Sequence, residues 1–210
     1  MPQKRRIFIA VNLPEDIKRR LLDFQKKWEH LPVRWTKKSS LHLTVVFIGY
    51  ADEQEIYEIC RLTKEIVKKY EPFSIIFEKI LYGPPALRPI RLALRVVSKV
   101  EPQVQGKAPR MIWLKGKASD EISKIKNELE EAFVSSENLK AFRIETRPFS
   151  LHITLARMNM GRWHSLEQKP ELEQDFKAIV PVASIDVMES DLKRDGAEYT
   201  VLEVCLLRGR

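Results

Sequence analysis

The chain has 210 residues, 44% of them hydrophobic and 31% charged, with 37 Lys+Arg against 29 Asp+Glu. That hydrophobic share supports a packed core and excludes a disordered chain, and the net charge of +8 favours an anionic partner (nucleic acid, nucleotides or a membrane surface) unless it reflects only a solvated Lys/Glu-rich surface. No stretch is long and apolar enough to span a bilayer, the apolar run after the basic N-terminus is too short for a signal peptide, and Cys60 and Cys205 share no metal-ligand spacing with each other or with any histidine, so they read as reduced core thiols of a cytoplasmic protein with no membrane partner.

In chain order, RIFIAVNL at 6–13 is a short apolar run rich in β-branched residues and predicts a buried strand. Pro14 with Glu15 and Asp16 opens a helix in which Ile17, Leu21, Phe24 and Trp28 recur at helical spacing. VRW at 33–35 is a short strand and LHLTVVFIG at 41–49 a stronger one, ended by Gly49. A second helix follows, with Ile56, Ile59, Cys60, Thr63, Ile66, Val67 and Tyr70 on one face. Strands are predicted at 73–81 and 90–97, and the Pro/Gly-rich stretch 82–108 is expected to hold turns and the crossing between lobes. PRMIWLKG at 109–116 is a strand, Ser119 or Asp120 caps a helix with Ile122, Ile125, Leu129 and Phe133 at core spacing, and FSLHITLAR at 149–157 is a strand. A polar loop or short helix containing Trp163 and His164 leads to a closing hairpin, 178–190 and 197–207, turned at Lys193-Arg194-Asp195-Gly196. Strand and helix do not alternate for long, which argues against a doubly wound parallel sheet and for an antiparallel α+β arrangement in two related lobes. No GxGxxG or P-loop pattern is present.

Two of the four histidines sit in near-copies of one word, SLHLT at 40–44 and SLHIT at 150–154. In a strand, residues i and i+2 share a face. His42 therefore projects with Thr44, and His152 with Thr154, while Leu41, Leu43, Leu151 and Ile153 go to the other side. One such tripeptide is usually a half-buried histidine beside a β-forming threonine. Two copies make a functional pair the better reading. Imidazole titrates near neutrality, so one can accept a proton while the other donates one, and the hydroxyls can hold anionic oxygens. That set suits in-line displacement at phosphorus without a metal or other cofactor, and no HxH, HExxH or carboxylate cluster accompanies the pair.

The chain resembles the 2H phosphoesterase superfamily, named for two H-x-[ST] motifs, and within it the RNA 2′,3′-cyclic phosphodiesterase (2′–5′ RNA ligase) family. The resemblance runs through Arg6, Phe8, Ala10 and Pro14; His42, Leu43, Thr44, Phe47 and Gly49; PRMIW at 109–113; HITLAR from His152 to Arg157; and Ser190, Leu192, Gly196 and Tyr199. Leu151 stands where the family often has Pro, and the 82–106 segment is longer than usual. The resemblance implies one bilobal domain over 1–210. Its lobes are related by a pseudo-twofold, each an antiparallel sheet with helices on its outer face and one HxT strand lining the cleft between the sheets.

It also implies hydrolysis of an RNA terminal 2′,3′-cyclic phosphate to a 2′-phosphomonoester, with His152 as proton acceptor and His42 as proton donor. Thr44 and Thr154 would hold phosphate oxygens, and Arg157, Arg110, Phe8 and Phe47 would bind substrate. Two of these sit awkwardly on the strands. At i+5 from its histidine Arg157 should face away unless the strand bulges, and Phe47 shares parity with Leu43 and reads more naturally as core. Arg6 and the run Arg88, Arg91, Arg95 could meet RNA phosphates or simply be solvated. The expected partner is an RNA end, including tRNA fragments, or a nucleotide, and the expected state is a monomer. Two other readings stay open: reversible 2′–5′ RNA ligation, and an RNA- or nucleotide-binding module without turnover.

Overall fold

A computed structural model describes residues 4–84, 108–139, 142–146, 148–168, 170–193 and 196–208. The strand expected at 90–97 and the basic run Arg88, Arg91, Arg95 lie outside the described residues.

Along the first part of the chain run β1 (Arg5–Asn12), α1 (Glu15–Lys27), β2 (Val33–Trp35), a short 3-10 turn (Lys38–Ser40), β3 (His42–Ala51), α2 (Glu53–Val67) and β4 (Phe73–Gly83). After the gap come β5 (Met111–Gly116), α3 (Asp120–Ser135), β6 (His152–Met158), α4 (Met160–His164), β7 (Glu173–Val182), β8 (Ser184–Lys193) and β9 (Gly196–Leu206). The helices start where their chemistry dictates. Asp52 and Glu55 form a reciprocal capping box on α2, with Glu55 N donating to Asp52 Oδ1 at 3.0 Å and Asp52 N to Glu55 Oε2 at 2.8 Å. Ser119, not Asp120, is the N-cap of α3. The buried apolar stripes, Ile17–Leu21–Phe24, Ile56–Ile59–Ile66 and Ile122–Ile125–Leu129–Phe133, fall on the faces the helical spacing predicts.

Among the described residues, nine strands join one antiparallel sheet, ordered β7-β4-β5-β6-β3-β1-β8-β9, with β2 added on β6. The α+β class holds, and the sheet falls into two four-stranded halves, β3-β1-β8-β9 and β6-β5-β4-β7. In each half the innermost strand carries an HxT word and pairs with the strand that precedes its helix: β1–α1–β3 in one, β5–α3–β6 in the other. The halves meet at one bridge, Leu43↔Ile153.

Several expectations change. β3 runs past Gly49 to Ala51, and Trp28 and Tyr70 lie beyond the ends of α1 and α2. The run 178–190 is not a single strand but the end of β7 and the start of β8, parted at Ala183. β7 pairs with β4 in one half and β8 with β1 in the other, so the chain crosses the molecule there. The hairpin that follows closes through the Lys193↔Gly196 pair, with Arg194 and Asp195 outside the described residues.

The two faces differ in kind. Ile7, Ile9, Val11, Leu43, Phe77, Leu114 and Ile153 join the helices in the main core. The opposite, open face carries a small apolar cluster of Phe8, Ala10 and Met188 with Tyr199 against it. Strand alternation sends the HxT side chains to this open face.

Candidate active site

Leu43 and Ile153 pair across the central seam and are 1% and 0% exposed, so both point into the core. Antiparallel continuation sets His42 across from Thr154 and Thr44 across from His152. The imidazoles therefore occupy opposite corners of a quartet, with a diagonal spacing of roughly 7–8 Å between backbone positions. The hydroxyl of each word stands beside the imidazole of the other.

Each imidazole is held in the same way. His42 Nδ1 lies 2.9 Å from Ser40 O, and His152 Nδ1 lies 2.6 Å from Ser150 O. A carbonyl only accepts, so Nδ1 carries the hydrogen and Nε2 keeps its lone pair. Thr44 Oγ1 sits 3.1 Å from His42 Nε2 and donates to it. The rings are also clamped by aromatics. Trp113 stacks on His152 at 3.9 Å between centroids, while Phe8 and Tyr199 each lie 4.9 Å from His42. Gly83 makes the Trp113 position possible, because a Cβ there would come within 2.1 Å of the indole.

Burial governs the titration of both rings. His42 is pushed down from 6.5 to about 4, chiefly by burial, with the Ser40 carbonyl opposing and Lys18 adding a little. His152 is lowered for the same main reason, the Ser150 carbonyl opposing and Lys115 adding to the fall. In the free protein both are neutral near pH 7.

Bulges place the residues at i+5. Ile9 pairs with Val46 and Ala10 with Thr44, so Val45 is an extra residue in β3. Ile112 pairs with Ala156 and Trp113 with Thr154, so Leu155 is the equivalent extra residue in β6. Each bulge flips the parity that follows. Phe47, expected as core, lies opposite Phe8 on the open face and is 62% exposed. Arg157 lies opposite Met111 on that same face, and Met111 Sδ is 3.9 Å from both Arg157 Nη1 and Thr154 Oγ1. Thr36 supports the β6 bulge, its N donating to Leu155 O at 2.8 Å and its Oγ1 to Thr154 O at 3.0 Å.

Other expected residues fare differently. Phe8 is 3% exposed, its ring taken up by His42 and Tyr199. It backs the imidazole and has no free face for a base. Arg110 is exposed just before β5, out of alternation with Met111. Arg6 is exposed and pairs with Ser190, in alternation with Phe8. Trp163 is core, edge-on to Tyr82 at 5.4 Å, and His164 is exposed.

Residue-by-residue reading missed Asn12, opposite His42, and Lys115, opposite His152. Asn12 Nδ2 donates to the buried Asp186 Oδ2 at 2.7 Å, and Lys115 Nζ donates to Ser150 Oγ at 2.7 Å. The signal available for Asn12 was a lone amide closing an apolar strand; for Lys115 there was none. Trp113 and Tyr199, which clamp the rings, did stand in the quoted motif segments, without a role. Among the described residues no group of three or more His, Cys, Asp or Glu side chains is gathered to hold a metal, and no helix is long and apolar enough to cross a membrane.

Residues 11–93 match the family model for LigT-like phosphoesterases. The chain is 27% identical over 182 residues to an RNA 2′,3′-cyclic phosphodiesterase of Bacillus subtilis, covering 86% of this chain and 80% of that one. It is 25% identical over 209 residues to the enzyme of that name from Thermotoga maritima, covering 97% and 96%. Among solved structures, a Thermus thermophilus protein superposes with a TM-score of 0.75 at 25% identity, covering 97% of this chain and 98% of its own. Escherichia coli LigT complexed with 3′-AMP shares the fold, with a TM-score of 0.71 at 20% identity over 99% of this chain and 100% of its own.

Proposed function

We propose that the chain, whose residues 11–93 match the LigT-like phosphoesterase model, opens the 2′,3′-cyclic phosphate at an RNA end to a 2′-phosphomonoester, without a metal, through His42 and His152. The observation that carries this reading is the quartet at the seam: two imidazoles from adjacent strands, each with Nδ1 tied to a carbonyl.

In the reaction, His152 Nε2 takes a proton from water as the water oxygen bonds to phosphorus. The P–O3′ bond breaks on the opposite side, and His42 delivers a proton to O3′. Thr44 and Thr154 donate to the non-bridging oxygens, and Arg157, further along the same face, acts on the negative charge that builds through its field rather than by contact. Phe47, exposed on the same face, offers a stacking surface to the terminal base.

The charge distribution supports this direction. Burial, with Lys115 adding to it, keeps His152 unprotonated, as a base must be, and Arg157 shares the same open face. His42 has the Asp186 carboxylate behind Asn12 on its side. Its burial works the other way, holding it at about 4 in the free protein, so the proton it donates is retained only once the phosphate anion is seated beside it. With the 5′-hydroxyl of a second strand in place of water, the same steps join the cyclic-phosphate end to that strand through a 2′–5′ bond as P–O3′ breaks, and run backward they cleave such a bond. RNA fragments of the cytoplasm, those of tRNA included, are the substrate pool this chemistry fits.

The test is incubation of an oligoribonucleotide ending in a 2′,3′-cyclic phosphate, in EDTA, with the product mapped by phosphorus NMR. The proposal expects a 2′-phosphomonoester formed at an undiminished rate. A 3′-phosphomonoester, or abolition by the chelator, overturns it.

A further inference from the structure

β2 is three residues long and, among the described residues, joins the sheet only at β6, where its middle residue Arg34 pairs with Arg157. Directly paired residues of an antiparallel ladder project to the same side. Arg34 therefore rises on the open face beside Arg157, beyond Thr154 and on the His42 side of the quartet. Like charges directly opposite one another are destabilising. Both arginines are exposed, and neither is joined to a carboxylate among the described residues; Arg157 Nη1 lies 3.9 Å from Met111 Sδ. The strand is nevertheless well anchored. Its flanks are held by Thr36 to Leu155 O and Thr154 O, by Asn159 N to Pro32 O at 2.8 Å, and by Gln25 Nε2 to Thr36 O at 3.1 Å. A backbone fixed this firmly to juxtapose two unpaired guanidinium groups is arranged for an anion.

The scissile phosphate is already served by the quartet. Arg157 lies two ladder positions beyond Thr154 and four beyond His152, and its partner Arg34 stands one strand further out. Two ladder positions with a bulge between them span roughly 7 Å or more, enough to separate a second phosphate from the first. We propose that Arg34, with Arg157, forms a subsite for the next phosphodiester of the RNA, the one 5′ to the terminal nucleotide. Guanidinium groups suit this role, since each presents a planar fork of donors to phosphate oxygens. The subsite makes the enzyme prefer a chain end over a lone cyclic nucleotide. It builds on the phosphodiesterase reading above, because that reading places the terminal phosphate at the quartet.

The experiment compares adenosine 2′,3′-cyclic phosphate with a diadenosine nucleotide ending in the same cyclic phosphate. Arg34→Gln should lower the ratio of kcat/KM for the dinucleotide over the mononucleotide by about tenfold, mostly through KM, and Arg34→Lys should recover part of it. Binding of the uncleavable dinucleotide product, which carries a 2′-phosphate, is measured alongside by calorimetry across a salt series. Arg34→Gln should weaken that binding and flatten its dependence of log Kd on log salt by about 0.7. Equal losses on both substrates would mean that Arg34 serves the terminal phosphate instead, and no loss on either would mean a solvated arginine; both overturn the subsite. The binding measurement needs no turnover, so a wild-type protein inactive on both substrates would sink the catalytic reading and leave this one to be decided by binding alone.

Discussion

At the scale of the residue, the site depends on two imidazoles kept neutral by burial and oriented by carbonyls. This has a consequence for stability. His42 titrates near 6.5 when unfolded and at about 4 when folded. Between those values the unfolded chain binds a proton that the native protein refuses. The contribution of His42 is therefore complete above about pH 6.5 and is lost as the pH falls toward 4. Acidification from pH 7 to 4.5 should cost the wild type about 2–3 kcal/mol through this group. His42→Gln should show a correspondingly smaller drop in urea unfolding between the two pH values, and an equal drop would mean that the ring is not held neutral. The alternation of His and Thr, which puts them on one face, was readable from five residues. The partners of the rings were not. Asn12 and Lys115 reach the histidines only through cross-strand register, which no local pattern encodes, and Phe8 is turned from base-stacking to ring support by Tyr199, almost two hundred positions away.

At the scale of the element, the bulges at Val45 and Leu155 put Phe47 and Arg157 beside the HxT side chains. An apolar β-former as the extra residue looks like any other strand residue, so simple alternation sends both i+5 side chains to the wrong face. Thr36 holds the β6 bulge through its hydroxyl. Thr36→Val should cost about 1 kcal/mol in urea unfolding and lower kcat/KM by displacing Arg157; unchanged kinetics would separate the bulge from function. Gly83 is the other sensitive point. Gly83→Ala drives a methyl into the Trp113 indole that stacks on His152. The expected cost is about 1–3 kcal/mol from overpacking, with a fall in kcat larger than any change in KM. A rate equal to wild type would show that the Trp113 clamp is dispensable. The helix starts and buried faces were legible because caps and apolar stripes are local, whereas the ends of α1 and α2 fall short of Trp28 and Tyr70. The split of 178–190 into β7 and β8 was not, since each part pairs with a different half of the sheet.

At the scale of the whole molecule, two halves built on one plan meet at a single bridge, and that bridge brings the two words together. The repeat of SLHxT foretold two related halves with one histidine each. It did not foretell that they join in one continuous sheet, because edge-to-edge joining is a tertiary choice. Nor are the halves chemically equal. At equivalent positions one presents Asn12 and Phe47, the other Lys115 and Arg157, an asymmetry that matches the two different ends of the proposed in-line reaction. If the two histidines act on one phosphate as a unit, their losses cannot add. The most direct measurement is the turnover of a cyclic-phosphate-ended oligoribonucleotide by His42→Ala, His152→Ala and the double variant. The account predicts a fall of about 10²–10⁴-fold for each single variant and little further loss in the double. Single variants near the wild-type rate, or losses that multiply in the double, would contradict it.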